Sequence, residues 1–195
     1  MFAKSPIAGN VKTRLIPLLG PKKACQLHEE MVASLMQRLS NSKHNIQIWT
    51  DNLAEGFSFP QFKTEQKLQL GRDIGEKMRD AMENGLKTFN QVVLVGSDLP
   101  EVDHLYINQA LSFLKNFDYV IGPTEDGGFG LIAGKHCDYR IFRNINWGQD
   151  KVLSRLIENI VSLRLTYALL PVIWDVDEPI DYFRYKKWRR DRANT

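Results

Sequence analysis

The chain has 195 residues, of which 43% are apolar and 25% charged, and it carries a formal net charge of +3. These values match an ordinary globular domain and exclude disordered and fibrous classes. The length fits a single domain over 1–195, no run of 18 apolar residues marks a membrane span, and no signal-peptide pattern opens the chain, so a cytoplasmic protein is expected.

In chain order, strand and helix signals alternate, which predicts α/β layering. Met1–Ala3 runs at once into a loop with Pro6 and Gly9, so a first strand is held to about three residues against the usual five or six. Residues 21–40 place Ala24, Leu27, Met31, Leu35 and Leu39 at helical spacing, with Pro21 suited to the first turn. Asn45–Thr50 alternates as a strand does, and 52–70 reads as a loop with a short strand ending at Leu70. Asp73–Phe89 predicts a helix capped by Asp73, with Ile74, Met78, Ala81, Met82 and Leu86 on one face. Val92–Val95 reads as a strand buried on both faces. Asp103–Lys115 predicts a helix on a Leu105, Ala110, Leu111 and Leu114 stripe. Tyr119–Ile121 and Phe129–Ala133 read as strands, Gln149–Val161 as a helix, and Leu163–Trp174 as a segment containing a strand. A helix over 180–190 follows, and its basic run Arg184–Arg192 reads as a solvated helix end, so no specific nucleic-acid partner is expected. Cys25 and Cys137 form no C-x-x-C pair, and Cys25 reads as a buried thiol.

Polar residues collect just after the apolar runs, where open α/β sheets bind their ligands. In Lys4–Leu15, Gly9 permits a tight backbone path, and Lys4, Lys12 and Arg14 supply three cations. Such a loop can hold a diphosphate through N–H groups and charge, though the same composition suits a solvated surface loop. Asp98 stands at the carboxyl end of the Val92–Val95 strand, a position from which a carboxylate can hold Mg²⁺ or Mn²⁺; a helix cap is the alternative. Glu125 and Asp126, followed by Gly127 and Gly128, can bond hydroxyls or act as a base, or simply form a tight hairpin. Asp175 and Asp177 alternate along a strand end, so one of them can join Asp98, the alternative being acidic residues ahead of a helix. G-x-S-x-G, zinc-spaced His/Cys and strand-following G-x-G-x-x-G patterns are absent.

Six segments occur in one order: F-A-K-S-P-I-A-G-N-V-K-T-R-L at Phe2–Leu15, G-R-D-I-G-E-K-M at Gly71–Met78, G-S-D-L-P at Gly96–Pro100, G-P-T-E-D-G-G-F at Gly122–Phe129, I-N-W at Ile145–Trp147 and D-V-D-E-P at Asp175–Pro179. Over nearly the whole chain this series resembles the DUF2064 family of bacterial GT-A-type glycosyltransferase-like proteins, in the nucleotide-diphospho-sugar transferase superfamily. It is similar, more distantly, to phospholactate guanylyltransferases and molybdenum-cofactor nucleotidyltransferases. The resemblance implies a GT-A, Rossmann-like three-layer α/β fold with a mixed, mainly parallel central sheet. It implies Asp98 and Asp177 as metal ligands, and Lys4, Lys12 and Arg14 as phosphate contacts. It further implies that Gly71, Asp73 and Gly75 shape the base or ribose pocket and that Asp126 meets the transferred group or acceptor. Three departures stand out: D-V-D-E-P replaces D-V-D-T-P, Gly130 replaces the second aromatic of G-G-[FY]-Y, and the apolar residues that usually precede F-A-K are missing. The first strand therefore reads as truncated, with further apolar residues expected ahead of Phe2 in the natural chain.

The expected function is a metal-dependent glycosyltransferase that uses Mg²⁺ or Mn²⁺, a nucleotide-sugar donor and a small-molecule acceptor. Asp126, then Glu125, are the candidate acceptor-activating carboxylates. A nucleotidyltransferase that releases pyrophosphate from an NTP uses the same groups. A nucleotide-binding protein without turnover is the reading from another class.

Overall fold

The computed structural model describes residues 1–40, 43–54, 56–57 and 64–193, and its elements follow the predicted alternation. In order they are α1 (Ile16–Ser40), β1 (Gln47–Thr50), β2 (Glu65–Leu68), α2 (Ile74–Leu86), β3 (Val92–Val95), α3 (His104–Phe113), β4 (Tyr119–Pro123), β5 (Phe129–Gly134), α4 (Val152–Ser162), β6 (Tyr167–Leu169) and α5 (Pro179–Ala193). A 3₁₀ turn, Thr13–Leu15, leads into α1. The loop expected around Pro60 lies outside the described residues.

β1 and β2 pair in parallel, and a second sheet runs β3-β5-β4-β6. Phe2 joins them, with parallel bridges to Trp49 on one side and Gly96 on the other. Its N–H donates to the Val95 carbonyl at 2.8 Å, and the Ala3 N–H donates to the Trp49 carbonyl at 3.0 Å. The joined order is β2-β1-Phe2-β3-β5-β4-β6, in which β5 alone runs against the rest. This is the mixed, mainly parallel sheet expected. At the central first position Phe2 is the bridging residue, and Met1 and Ala3 add hydrogen bonds to β1 on either side of it. Beside Met1 a groove of about 380 Å³ lies between β1 and β3, and Val92 and Val93 are only half-buried there, not enclosed on both faces as predicted.

Side chains of successive strand residues leave opposite faces, and that alternation builds two cores. Ile48, Val95, Val120, Leu131 and Ala133 face α1 and α3, where Val32, Leu35, Met36, Ile107 and Ala110 meet them. Trp49, Leu94, Tyr119, Ile121 and Ile132 face α2 and α4, against Met78, Met82, Leu156 and Ile160. A smaller cluster of Leu15, Leu27, Met31, Trp174, Val176 and Tyr185 fixes α5 to the start of α1. The result is a three-layer α/β/α unit.

One helix reading is extended and one is corrected. α1 begins at Ile16 but breaks at Gly20, whose φ of 75° is a left-handed conformation that glycine adopts readily, so the predicted 21–40 helix is its second segment. In α3 the buried face is Ile107, Ala110 and Leu114, whereas Leu105 is 64% exposed. Ile107, Ala110 and Leu114 follow the i, i+3, i+7 spacing of one helix face; Leu105 is five residues from Ala110 and out of phase. Among the described residues no helix is long and apolar enough to cross a membrane.

Candidate active site

Because every strand except β5 runs the same way, the segments that follow β1, β3, β4 and β6 emerge at one edge of the sheet. The first loop reaches the same edge from Ala3. Its start is fixed to the end of β1: the Ser5 N–H donates to Asp51 Oδ1 at 2.7 Å, and the Ser5 and Thr50 hydroxyls bond at 2.7 Å. Gly9 forms the exposed tip, with φ 95° and open space around its Cα. The loop returns through Val11, which is 1% exposed, to Lys12 in a left-handed conformation at φ 47°.

That turn sends the Lys12 side chain inward, where it is 6% exposed. Its Nζ donates to Asp98 Oδ2 at 2.9 Å and to the Val176 carbonyl at 2.6 Å. Burial alone would raise the Asp98 carboxyl; the Lys12 charge and hydrogen bond outweigh it and hold Asp98 below the usual carboxylate range. The helix-cap alternative for Asp98 fails, since α3 is capped by Asp103, which accepts from Leu105 and Tyr106. Arg14 bonds the Asp177 carboxylate across the mouth of the site. Both expected metal ligands are therefore paired with expected phosphate contacts.

Beneath the loop, His28 of α1 is 4% exposed and its Nε2 bonds the Lys4 carbonyl at 2.8 Å. Burial depresses its pKa, against the raising effect of that bond, and Lys12 lowers it further.

Two cavities open at this edge. The first, about 410 Å³, is lined by the loop and by the start of α2, and it gathers Lys4, Lys12, Lys77, Asp51, Gln69 and Ser97. Asp73 lines it too while capping α2, accepting from the Glu76 N–H at 2.8 Å. Gly71 and Gly75 do not reach its wall and act through packing. A Cβ at Gly71 would meet the Lys77 nitrogen at 2.7 Å, and one at Gly75 would meet the Trp147 ring at 2.6 Å. The second cavity, about 490 Å³, lies across Asp98 from the first, and Asp98 and Asp177 line both. Asp126 and Asp175 line only the second. Asp175 is pushed up to about 6 by burial, then by the charges of Asp98 and Asp126. Both Asp175 and Asp177 reach this cavity because the segment after β6 is not a regular strand, so the expected alternation does not apply.

The β4–β5 connection is the hairpin the glycines suggested, and it also presents Asp126. Oδ1 of Asp126 accepts from the Thr124 hydroxyl at 2.5 Å and the Gly128 N–H at 3.0 Å. Glu125, the second candidate base, is not brought to either cavity. Its carboxylate takes two bonds from Arg184 of α5, at 2.6 and 2.9 Å, and it serves as a surface clasp.

The structure adds Asp51, Gln69, Lys77, His28 and Trp147 to the site. Lys77 stands four residues after Asp73, on the same face of α2, so helical spacing gives a signal for it. His28 gives none, because only the path of α1 beneath the loop brings it there.

The donors suit a hard divalent cation: they are carboxylate oxygens, and the Lys12 ammonium already holds a cationic position between Asp98 and the Val176 carbonyl. Among the described residues no group of three His, Cys, Asp or Glu side chains forms a ready-made cage. A Mg²⁺ or Mn²⁺ bound by two carboxylates, substrate phosphates and water needs none.

The sequence matches the family described as "Uncharacterized protein conserved in bacteria (DUF2064)" over residues 34–149. A crystal structure from Desulfovibrio desulfuricans G20, provisionally assigned as a nucleotide-diphospho-sugar transferase, is 31% identical and superposes with a TM-score of 0.82 over 91% of this chain and 80% of that one. A 2-phospho-L-lactate guanylyltransferase of Methanobrevibacter ruminantium is 23% identical over 138 residues, 65% of this chain; the match spans 59% of that protein's length. Rv0371c of Mycobacterium tuberculosis H37Rv, solved in complex with manganese, is 14% identical with a TM-score of 0.56, covering 94% of this chain and 95% of that one.

Proposed function

The chain belongs to the DUF2064 family, and on that premise we propose that it is a metal-dependent glycosyltransferase that takes a nucleotide sugar in the first cavity and an acceptor in the second. The observation that carries this reading is the junction of the two cavities at Asp98 and Asp177. A basic loop flanks one side of the junction and acidic residues flank the other.

Lys4, Lys12 and Lys77 hold the diphosphate, and Asp51, Gln69, Ser97 and Asp73 face the nucleoside; Gly71 and Gly75 shape the turn and helix start behind it. Asp98 and Asp177 hold the divalent ion, which supplies positive charge beside the departing diphosphate. Lys12 and Arg14 each bond the Oδ2 atom of these carboxylates, so the ion would be met by the Oδ1 atoms, with both cations beside it. The acceptor oxygen bonds to the sugar C1 as the bond from C1 to the diphosphate oxygen breaks. The electron pair leaves with the nucleoside diphosphate. The hydroxyl proton passes to Asp126, whose Oδ2 is available because Oδ1 is engaged in the turn.

The guanylyltransferase likeness favours a second reading, in which an acceptor phosphate attacks the α-phosphorus of an NTP and pyrophosphate leaves. A product assay over nucleotide sugars and NTPs, with Mn²⁺ and a panel of acceptors, separates the two. Release of nucleoside diphosphate from a nucleotide sugar supports the first reading. Pyrophosphate release from an NTP, with no nucleoside diphosphate from any sugar donor, replaces it with the second.

A further inference from the structure

The second cavity has two unlike walls. One is apolar, with Phe2, Ile74, Met78, Phe129, Trp147 and Val152 lining it. Ile74 is 40% exposed at its mouth. Trp147 is held in place from two sides: its ring rests on Gly75, where even a methyl group would sit 2.6 Å from Cζ2, and it stands edge-on to Phe129 with centroids 6.4 Å apart. The flat ring is thus a fixed surface rather than a swinging side chain.

The other wall carries Asp98, Asp126, Asp150, Asp175 and Asp177, with Arg14 as its cation. Even with Lys12 and a divalent ion added, that wall is net negative. A phosphate or carboxylate placed there meets like charge at close range, whereas a neutral hydroxyl finds acceptors. A strongly hydrated polyol would lose water against the apolar wall without gaining hydrogen bonds from it. A flat apolar group gains there both area and aromatic contact.

Resting on the transferase reading above, we infer that the second substrate is a neutral alcohol borne on a flat apolar group, which lies against Trp147 with its hydroxyl turned to Asp98 and Asp126. The inference specifies the acceptor class of the cavity: aryl or polycyclic alcohols rather than free sugars or phosphorylated acids.

The test titrates 2-naphthol, methyl α-glucoside and glucose 1-phosphate into the full chain by calorimetry with Mg²⁺, and separately titrates GDP, UDP and CDP. The expected result is that 2-naphthol binds at least tenfold more tightly than either polar probe. Trp147→Ala should weaken 2-naphthol about tenfold, Trp147→Phe should restore most of that loss, and nucleoside diphosphate affinity should stay within about twofold in both. The comparison of the three probes on the unaltered chain decides the matter even if Trp147→Ala unfolds. Tighter binding of the glucoside or of glucose 1-phosphate overturns the inference while leaving the donor reading intact, as does 2-naphthol binding that is indifferent to Trp147 in a folded variant. If no nucleoside diphosphate binds but 2-naphthol does so through Trp147, the donor reading fails and the apolar subsite stands.

Discussion

Lys12 shows how one side chain ties the loop to the sheet edge. Its ammonium is buried and bonded to a carboxylate and a carbonyl from two other segments of the chain. A buried charge without partners is costly, so the loop closes where these partners lie. The basic character of the loop and the place of Asp98 after an apolar strand were legible in the sequence; their pairing was not, because Lys12, Asp98 and Val176 meet only in the fold. Glu125 misled because its direction is set by Arg184, on an element far along the chain.

His28 carries the pH dependence that belongs to this scale. Its folded pKa lies below the ordinary value because burial, and then the nearby Lys12, oppose a second positive charge; Lys4 acts the same way, while the Lys4 carbonyl and Asp98 oppose that trend. Below about 6.5, the unfolded histidine takes up a proton that the folded one refuses. Stability should therefore rise with pH through that range and fall on acidification. His28→Gln preserves a donor for the Lys4 carbonyl and removes the titration. Denaturant unfolding between pH 5 and 8 should show a shallower slope for the variant; an unchanged slope would assign the dependence to other groups.

At the scale of elements, α2 links the two cavities. Asp73 caps it, Lys77 faces the first cavity, and Gly75 accepts the Trp147 ring that walls the second. Periodicity revealed the helix and its cap. It did not reveal why position 75 is glycine, since the contact comes from a residue 72 positions later. Gly75→Ala should push the indole off the helix, because a ring cannot yield as a flexible chain end does. We expect a loss of about 1–3 kcal/mol, the usual range for overpacking. The indole should also become more exposed, read as a red shift in tryptophan emission. A variant as stable as the parent with unshifted emission would mean that Trp147 does not pack there in solution. α3 teaches the complementary lesson: its existence and the burial of Ala110 and Leu114 were legible, but Leu105 was taken for its face in place of Ile107.

At the scale of the whole molecule, alternating strand and helix signals gave the layering, and the Asp-Gly-Gly turn gave the β4–β5 hairpin. The insertion of β5 between β3 and β4 left no local mark, because strand order is decided by pairing between distant segments. That insertion matters to the site: it spaces Asp98 of the β3 end from Asp126 of the β4–β5 turn and makes room for the second cavity. The clasp from Arg184 to Glu125 and the contact of the same guanidinium with Trp174, at 4.2 Å, hold α5 against the turn. The proposed function turns on one statement: if it holds, nucleotide binding here depends on a divalent ion held through Asp98. The most direct measurement is calorimetric titration of GDP, UDP and CDP into the parent chain and Asp98→Asn, each with and without Mn²⁺. At least one nucleoside diphosphate should bind the parent at least ~10-fold more tightly with Mn²⁺, about 1.4 kcal/mol, and Asp98→Asn should abolish that gain while remaining folded. Equal affinities with and without Mn²⁺ in the parent, or an undiminished gain in Asp98→Asn, would contradict the account.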